Sequence, residues 1–552
     1  MIGGERGLAN LPLIAFCLLL AAFLIAPLAS LGVQAFTAPA GQDALANFAK
    51  YFQTPGLMRS LVNTAWLAVV VAVLVLPMAF VVAFTLERTL VPLKGSLAVI
   101  ASAPLLIPSL LPALALVYLF GRQGLLRPFL GGGDIYGAQG VVIADVIATF
   151  PHALVILRTA LSAADGRLYE QAEILGASPW RTFWRVTLPG ARHGLVSAAV
   201  VVFALVIADV GAPKVVGGDF DVIALDIYKQ VLGQQNFQMG SVAALLLLLP
   251  SALAMVVERV AAHRQAALIS SRSTAYRPRP SARRDAVFGG LSAIIAFCIL
   301  AVFAVCQFAA LVKLWPYDLT PSLAQYDLDR VDGGGWSALT DSVWLALAAA
   351  SLGTALAFIG AYIAERTPAR GWLRQAYAAL ALLPAATPGL ALGLAYVLCF
   401  NDPANPLHGL YGGFGILVAI TVVHLFTVAH LTSTSALRAL DSEFESAGEV
   451  LGRGRWSVFL PVITAMSTPT LIEIFVYLFV SAMTTVSAVV FVYPPAFKLA
   501  SVAVLNMDDA GDIAPAAAMG MLIVYVNVVV RGLGVLLRTA AVRRERLAYA
   551  RA

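Results

Sequence analysis

The sequence predicts an all-α integral membrane protein of about twelve transmembrane helices, built as two tandem six-helix units. Three observations carry this reading. Of 552 residues, 60% are hydrophobic and only 12% charged, with a mean hydropathy of +0.86, whereas a soluble domain is about 25% charged. Apolar runs of about 20 residues recur along the chain, and at ~1.5 Å per residue each matches a hydrocarbon layer ~30 Å thick. The landmarks of the first half also return in the same order in the second. A membrane β-barrel would instead alternate apolar and polar residues within segments of about ten.

In chain order, the runs place spans near 11–33, 61–86, 95–120, 140–161, 195–212 and 239–259, then near 287–314, 343–364, 374–400, 413–434, 471–493 and 515–537. The run at 11–33 is too long for the core of a cleaved leader and reads as an uncleaved first span. Between the halves, residues 261–285 form a basic linker with Arg264, Arg272, Arg277, Arg279, Arg283 and Arg284. Pro278 and Pro280 argue against a rigid helix through it. The expected division is therefore a first unit at 1–260, the linker at 261–285 and a second unit at 286–552.

Basic residues set the orientation. If both termini and the linker are cytoplasmic, the opposite side carries only nine of the 36 Lys and Arg, namely Lys50, Arg59, Arg122, Arg127, Lys214, Lys229, Lys313, Arg330 and Lys498. That bias is the positive-inside pattern. It makes the net charge of +6 a topology signal, and no nucleic-acid partner is expected. Cys17, Cys298, Cys306 and Cys399 all fall in apolar runs without metal-ligand spacing, so they read as small core residues. No metal site is expected.

The repeat is specific. Trp66 and Trp344 occupy the strings NTAWLA and DSVWLA, and Glu87-Arg88-Thr89 matches Glu365-Arg366-Thr367. The PLLIP of Pro104 to Pro108 matches the PAATP of Pro384 to Pro388, Leu175-Gly176 matches Leu451-Gly452, and Trp180 matches Trp456. Six spans per copy is an even number, so the copies share one orientation, and a pathway would run between them along a pseudo-two-fold.

The loop after the fourth span of each half carries the clearest functional signal. It reads DGRLYEQAEILGASPWRTFWRVTLPGARHGL from Asp165 and DSEFESAGEVLGRGRWSVFLPVITAMSTPTL from Asp441. Each Asp is a good N-cap for a short helix. Leu168, Ala172 and Leu175 share one helical face. Gly176 and Gly452 break that helix, as suits a sharp bend or a close approach of another backbone. A second short helix follows, ending at Leu188-Pro189 in the first copy. Such a segment is too amphipathic to span and too apolar to be a solvated loop, so it calls for a partner.

Glu170, Gln171 and Ala172, then Gly176 after three residues and later Leu188-Pro189, resemble the EAA loop of binding-protein-dependent ABC importer permeases. The resemblance covers nearly the whole chain. It implies a bacterial inner-membrane, multi-pass permease whose two loops, 165–190 and 441–466, form coupling helices docked on cytoplasmic ATPase subunits, expected as a homodimer. It also implies a periplasmic solute-binding protein as the external partner, with lipid around the spans. ATP and Mg would be bound by the ATPase, leaving this chain without a cofactor. Asp165, Leu168, Glu170, Ala172, Gly176, Leu188 and Pro189 form the coupling set of the first copy. Asp441, Glu445, Ala447 and Gly452 form that of the second, which departs from the pattern. Its aligned triplet is Ser446, Ala447, Gly448, with Glu445 one place early, and Thr464-Ala465 replaces the Leu-Pro pair.

None of the six lysines follows a glycine, so the chain lacks the Gly-Lys-Ser or Gly-Lys-Thr of a phosphate-cradling loop. The energy source must then sit on another polypeptide, and no catalytic residue is expected. Within the spans Asp145, Asp209 and Glu473 are the acidic residues that stand out, since charge at membrane depth is costly and often functional. Asp145 suits either a solute path or an interhelical hydrogen bond, and Asp209 a gate or path. His152, beside Pro151 in mid-span, reads as a packed neutral side chain. Residues 210–238 and 494–512 occupy equivalent places after the fifth spans, and Lys214, Asp226 and Lys498 are their candidates for meeting a receptor or gating the mouth.

The fused twelve-span layout resembles the ferric-iron, thiamine and 2-aminoethylphosphonate branch of this family. The strings FPHAL from Phe150, DVGAPKVVGG from Asp209, QQNFQMG from Gln234, AMTTVSAVVF from Ala482 and KLASVAVLNMDDAGD from Lys498 are most similar to the 2-aminoethylphosphonate permeases. Ferric iron or thiamine is the alternative solute. An ion-coupled secondary transporter would rely on broken helices and membrane-depth carboxylates, and a membrane scaffold would leave the paired loops unexplained.

Overall fold

A computed structural model describes residues 2–37, 43–131, 133–267, 274, 276–331, 333–441 and 443–549. Among these residues nine helices are long and apolar enough to cross a membrane, and twelve spans result if each of three bent pairs is counted as one. Leu18, Val73, Leu249, Phe297 and Leu536 on these helices are 63% to 71% exposed. Apolar surface on that scale is what a lipid-facing helix presents.

The bent pairs follow from proline. Lys94–Leu106 and Leu110–Phe120 meet at 102°, and Gly371–Ala386 and Gly389–Phe400 at 110°. The residues before Pro108 and Pro388, Ile107 and Thr387, are extended, as a following proline ring enforces. The repeated PLLIP and PAATP landmarks are thus the two sharp breaks, where the sequence alone read straight spans at 95–120 and 374–400.

The fifth spans differ between the copies. In the first, one helix runs from Pro179 to Ala208, so no short helix ends at Leu188-Pro189. A π turn at Phe183–Thr187 precedes Pro189 and widens the helix where its ring would otherwise crowd the carbonyl four residues back. In the second, Trp456–Thr464 and Thr468–Thr484 meet at 80°. Pro469 lacks the N–H that would close the turn on Ala465, whereas His193 occupies the matching place in the first copy. The second-copy span ends at Thr484, short of the expected 493, and turns follow.

The chain packs as two compact units. One combines Met1–Gln34, Asp332–Ala503 and Leu522–Ala552, and the other Ala35–Val331 with Val504–Met521. These units trade first spans relative to the sequence halves at 1–260 and 286–552. In the unit holding the N-terminal span, Asn10 Oδ1 accepts from Arg370 N at 3.0 Å, and the Tyr396 hydroxyl donates to Phe23 O at 2.7 Å. In the other, Ala282–Ala310 lies on the second span, Pro55–Arg88, with the Thr85 and Ser292 hydroxyls 2.7 Å apart and the Phe84 and Phe288 rings at 4.5 Å.

One departure from an all-helical chain is a small antiparallel hairpin, β1 (Val312–Leu314) with β2 (Asp318–Pro321). Asp318 Oδ1 accepts from Thr320 N at 3.1 Å and from its hydroxyl at 2.6 Å, stabilising the reversal. Trp315 in the turn packs on Tyr118 at 5.1 Å.

Candidate coupling site

In each copy the loop after the fourth span is a short helix with a defined start and stop. In the first, Asp165 is extended and its Oδ1 accepts from Arg167 N at 3.1 Å, capping Gly166–Ile174. The backbone N–H groups of Arg167 and Thr274 hold its carboxyl below the usual carboxylate range. In the second, Asp441 Oδ1 accepts from Glu443 N at 3.1 Å at the head of Glu443–Val450.

Both helices end in the same way. Gly176 has φ +67° and Gly452 φ +69°. Gly176 N donates to Glu173 O at 2.8 Å and Ala177 N to Ala172 O at 2.9 Å. Gly452 N donates to Glu449 O at 3.0 Å and Arg453 N to Gly448 O at 2.8 Å. This is the Schellman closure, which needs a left-handed residue at its corner. A β-carbon at either glycine would meet nothing within 4 Å. The glycines therefore serve the bend, and among the described residues no backbone approaches closely there.

The residues before each corner stand out into solvent. Ile174 and Leu175 are 84% and 82% exposed, and Val450 and Leu451 are 87% and 76% exposed. Trp180 and Trp456, also exposed, begin the helices that follow. The site is thus a pair of matching aliphatic knobs, each held at a glycine corner. Leu168 and Glu170 are exposed and Ala172 half-buried, while Ala447 is exposed. Ile174 and Val450 escaped the sequence reading, although both directly precede the repeated Leu-Gly landmark.

The repeated Glu-Arg-Thr landmark positions these helices. Glu87 bridges to Arg158 on the fourth span at 2.7 Å, and Glu365 bridges to Arg438 at 2.8 Å. Arg88 donates to Leu161 O at 2.5 Å and stands over the Tyr169 ring at 5.2 Å. Arg366 donates to the carbonyls of Leu437 and Leu440 and lies 3.5 Å from Glu445. Tyr169 and Glu445 are 276 residues apart, as are Leu161 and Leu437. Glu445 is consequently an inward-facing anchor for Arg366. It is no displaced partner of the exposed Glu170, as the early acid had suggested. Leu188 and Pro189 lie on the continuous helix beyond the knob, half-buried and exposed respectively.

The remaining candidates divide between interior and surface. Asp145 is buried in the fourth span beside the Asp209 carboxyl, and Asp209 accepts from Ala212 N at 2.9 Å. Glu473 pairs with Arg538. Lys214 pairs with Asp509 at 2.7 Å, only 14% exposed, and lies over the Tyr228 ring at 4.6 Å. Asp226 is buried near Ser60, and burial pushes its carboxyl up to about 7. It lies within the loop, whereas the sequence offered it for meeting a receptor or gating the mouth. Lys498 is exposed.

A second duplicated device holds these loops. Asn63 Nδ2 donates to Asp221 O at 2.9 Å and Ile223 N to the Thr64 hydroxyl at 2.8 Å. In the other copy, Lys498 N donates to Asp341 Oδ2 at 3.3 Å and Ala500 N to the Ser342 hydroxyl at 2.7 Å. The polar pairs ahead of Trp66 and Trp344 therefore pin the backbone of equivalent loops.

The family described as the binding-protein-dependent transport system inner membrane component matches residues 88–266 and 353–541. The chain belongs to this family. Both matched stretches of the transport-system component contain a knob and its glycine corner. The ferric transport system permease protein FbpB of Actinobacillus pleuropneumoniae is 28% identical over 440 residues, 77% of this chain and 63% of that relative's length. The molybdenum transport system permease protein ModB of Mycobacterium tuberculosis is 32% identical over 205 residues, 36% of this chain and 76% of the relative. Among solved structures, a chain of the bacterial alginate ABC transporter, in complex with its alginate pentasaccharide-bound periplasmic protein, aligns with a TM-score of 0.40 and 18% identity. That alignment covers 49% of this chain and 97% of the other. Among the described residues no group of three or more His, Cys, Asp or Glu is placed to hold a metal ion.

Proposed function

We propose that this chain is the membrane permease of an ATP-driven ABC importer, passing a receptor-delivered small solute into the cytoplasm. The observation that carries the reading is the duplicated knob, Ile174-Leu175 and Val450-Leu451, exposed at a glycine corner in each copy of a transport-family domain. Two aliphatic side chains in water per copy are unfavourable unless covered. A groove on a cytoplasmic ATPase subunit is the cover that the EAA-like sequence implies, with one subunit for each knob. ATP and Mg then belong to that partner. The basic bias supports both termini and the linker lying on the ATPase side, with the pinned loops around Lys214 and Lys498 on the periplasmic side, toward a solute-binding protein.

For the solute, the strings at Asp209 to Gly218 and Lys498 to Asp512 support 2-aminoethylphosphonate. Ferric iron is the second reading, favoured by the name of the Actinobacillus relative. Uptake assays with the complete transporter separate them. Labelled 2-aminoethylphosphonate should accumulate and resist competition by ferric iron, and iron accumulation alone would replace the first reading by the second.

A further inference from the structure

The segment joining the sequence halves is packed onto the first coupling helix. The carbonyl of Thr274 accepts from Gly166 N at 2.8 Å, and Thr274 N donates to Asp165 Oδ1 at 3.2 Å. The rings of Tyr276 and Tyr169 lie 4.5 Å apart. The Arg88 guanidinium stands over both, 4.5 Å from the Tyr276 centroid and 5.2 Å from that of Tyr169. Arg279 pairs with Glu173 in the last turn. Arg284 donates to Arg279 O at 2.5 Å, and Asp285 accepts from Leu90 N at 3.3 Å, returning the chain to the end of the second span.

These contacts reach the helix at its cap, its inner face and its end. The ion pair is the weakest of them, since Arg279 and Glu173 are both more than half exposed, at 66% and 57%. The stack is the strongest. Arg88 is 2% exposed, and a desolvated guanidinium over aromatic faces is where cation–π attraction is largest. In the second unit the position matching Tyr169 is held by the Arg366–Glu445 pair. The two coupling helices are thus anchored by different chemistry.

We propose that the linker is a positioning element of the first coupling site, with Thr274, Tyr276 and Arg279 setting the angle at which Ile174 and Leu175 meet the ATPase. The inference rests on the coupling reading of that loop. Its consequence is that the two knobs are not interchangeable, because the first depends on a strap that exists only through the fusion of the halves.

Hydrogen exchange on the purified full-length chain, without any ATPase, tests the strap itself. Tyr276→Ala should speed exchange across residues 166–175 by about five- to thirtyfold, the factor carried by losing one desolvated cation–π and ring contact, and leave 443–450 unchanged. Tyr276→Phe should stay near wild type. In proteoliposomes with ATPase and receptor, Tyr276→Ala and Arg279→Glu should lower solute taken up per ATP hydrolysed, and adding Glu173→Arg to Arg279→Glu should restore it. Unchanged exchange in Tyr276→Ala overturns the strap. Faster exchange with unchanged uptake per ATP overturns the positioning role. A wild-type chain that binds no ATPase overturns the coupling reading and the positioning role together, and the exchange data tell that failure apart from loss of the strap.

Discussion

Arg366 Nη1 lies 3.5 Å from Glu445 Oε2, and both side chains are nearly buried, at 12% and 10% exposure. The pair ties the helix Glu443–Val450 to the end of the Gly335–Arg366 span. Removing one partner of a buried pair leaves an uncompensated charge, although Arg366 keeps the Leu437 and Leu440 carbonyls. Glu445→Ala should therefore destabilise the chain by about 1–3 kcal/mol, measured as a lower melting temperature in detergent. Glu445→Tyr, which installs the first copy's residue, should recover part of that loss.

The glycine corners should respond to backbone conformation rather than bulk. A β-branched side chain at positive φ costs on the order of 1–2 kcal/mol, and asparagine less. Gly176→Val should release bound ATPase while membrane abundance stays normal, and Gly176→Asn should retain most of it. Gly452 should show the same order. Equal loss in both variants would mean that space, not φ, is limiting.

The fold was legible in the sequence where one residue type dictates local geometry. Asp165 and Asp441 cap their helices, and Gly176 and Gly452 bend the chain, because capping and positive φ are properties of a few adjacent residues. Pro108 and Pro388 were visible as repeat landmarks, yet the breaks of 102° and 110° were not drawn, since hydropathy counts residues along a run and is blind to its direction. The exchange of first spans was illegible for a related reason. Periodicity reports which face is apolar and never which helix covers it. Ile174 and Val450 looked like ordinary apolar positions of a short helix, and only the packed structure leaves them uncovered. Glu445 was read against Glu170 by local motif, while its contact with Arg366 spans 79 residues.

Asp226 supplies a pH signature. Its carboxyl is raised from 3.8 to about 7 by burial, so the folded state binds its proton more tightly than the unfolded chain does. Stability from this group is full below the unfolded value and is lost as pH rises toward 7, with a slope no steeper than about 1.4 kcal/mol per pH unit. Asp226→Asn should flatten that part of the stability curve and gain most at pH 8. Thermal melts from pH 4 to 8 check this, and a parallel curve for the variant would assign the dependence elsewhere.

The pinned loops predict a matched pair of effects. Thr64→Val leaves Ile223 N without its acceptor, and Ser342→Ala does the same to Ala500 N. A buried unpaired donor costs about 1–3 kcal/mol. Both variants should reduce receptor-stimulated ATP hydrolysis and leave basal hydrolysis by the assembled transporter near wild type.

The orientation of the chain is open to reporter fusions. Sites at Arg284 and after Ala552 should show cytoplasmic activity only, and a fusion in the loop at Gly218 should report from the periplasm.

The proposed ATPase contact rests on two exposed aliphatic knobs. Leu175 and Leu451 are 82% and 76% exposed, so Leu175→Glu and Leu451→Glu should leave the fold and its membrane abundance untouched. The most direct measurement is co-purification of the ATPase with the double variant, beside an abundance control. The ATPase should be lost and uptake abolished while the permease inserts normally. Full ATPase recovery with full uptake in the double variant would contradict it.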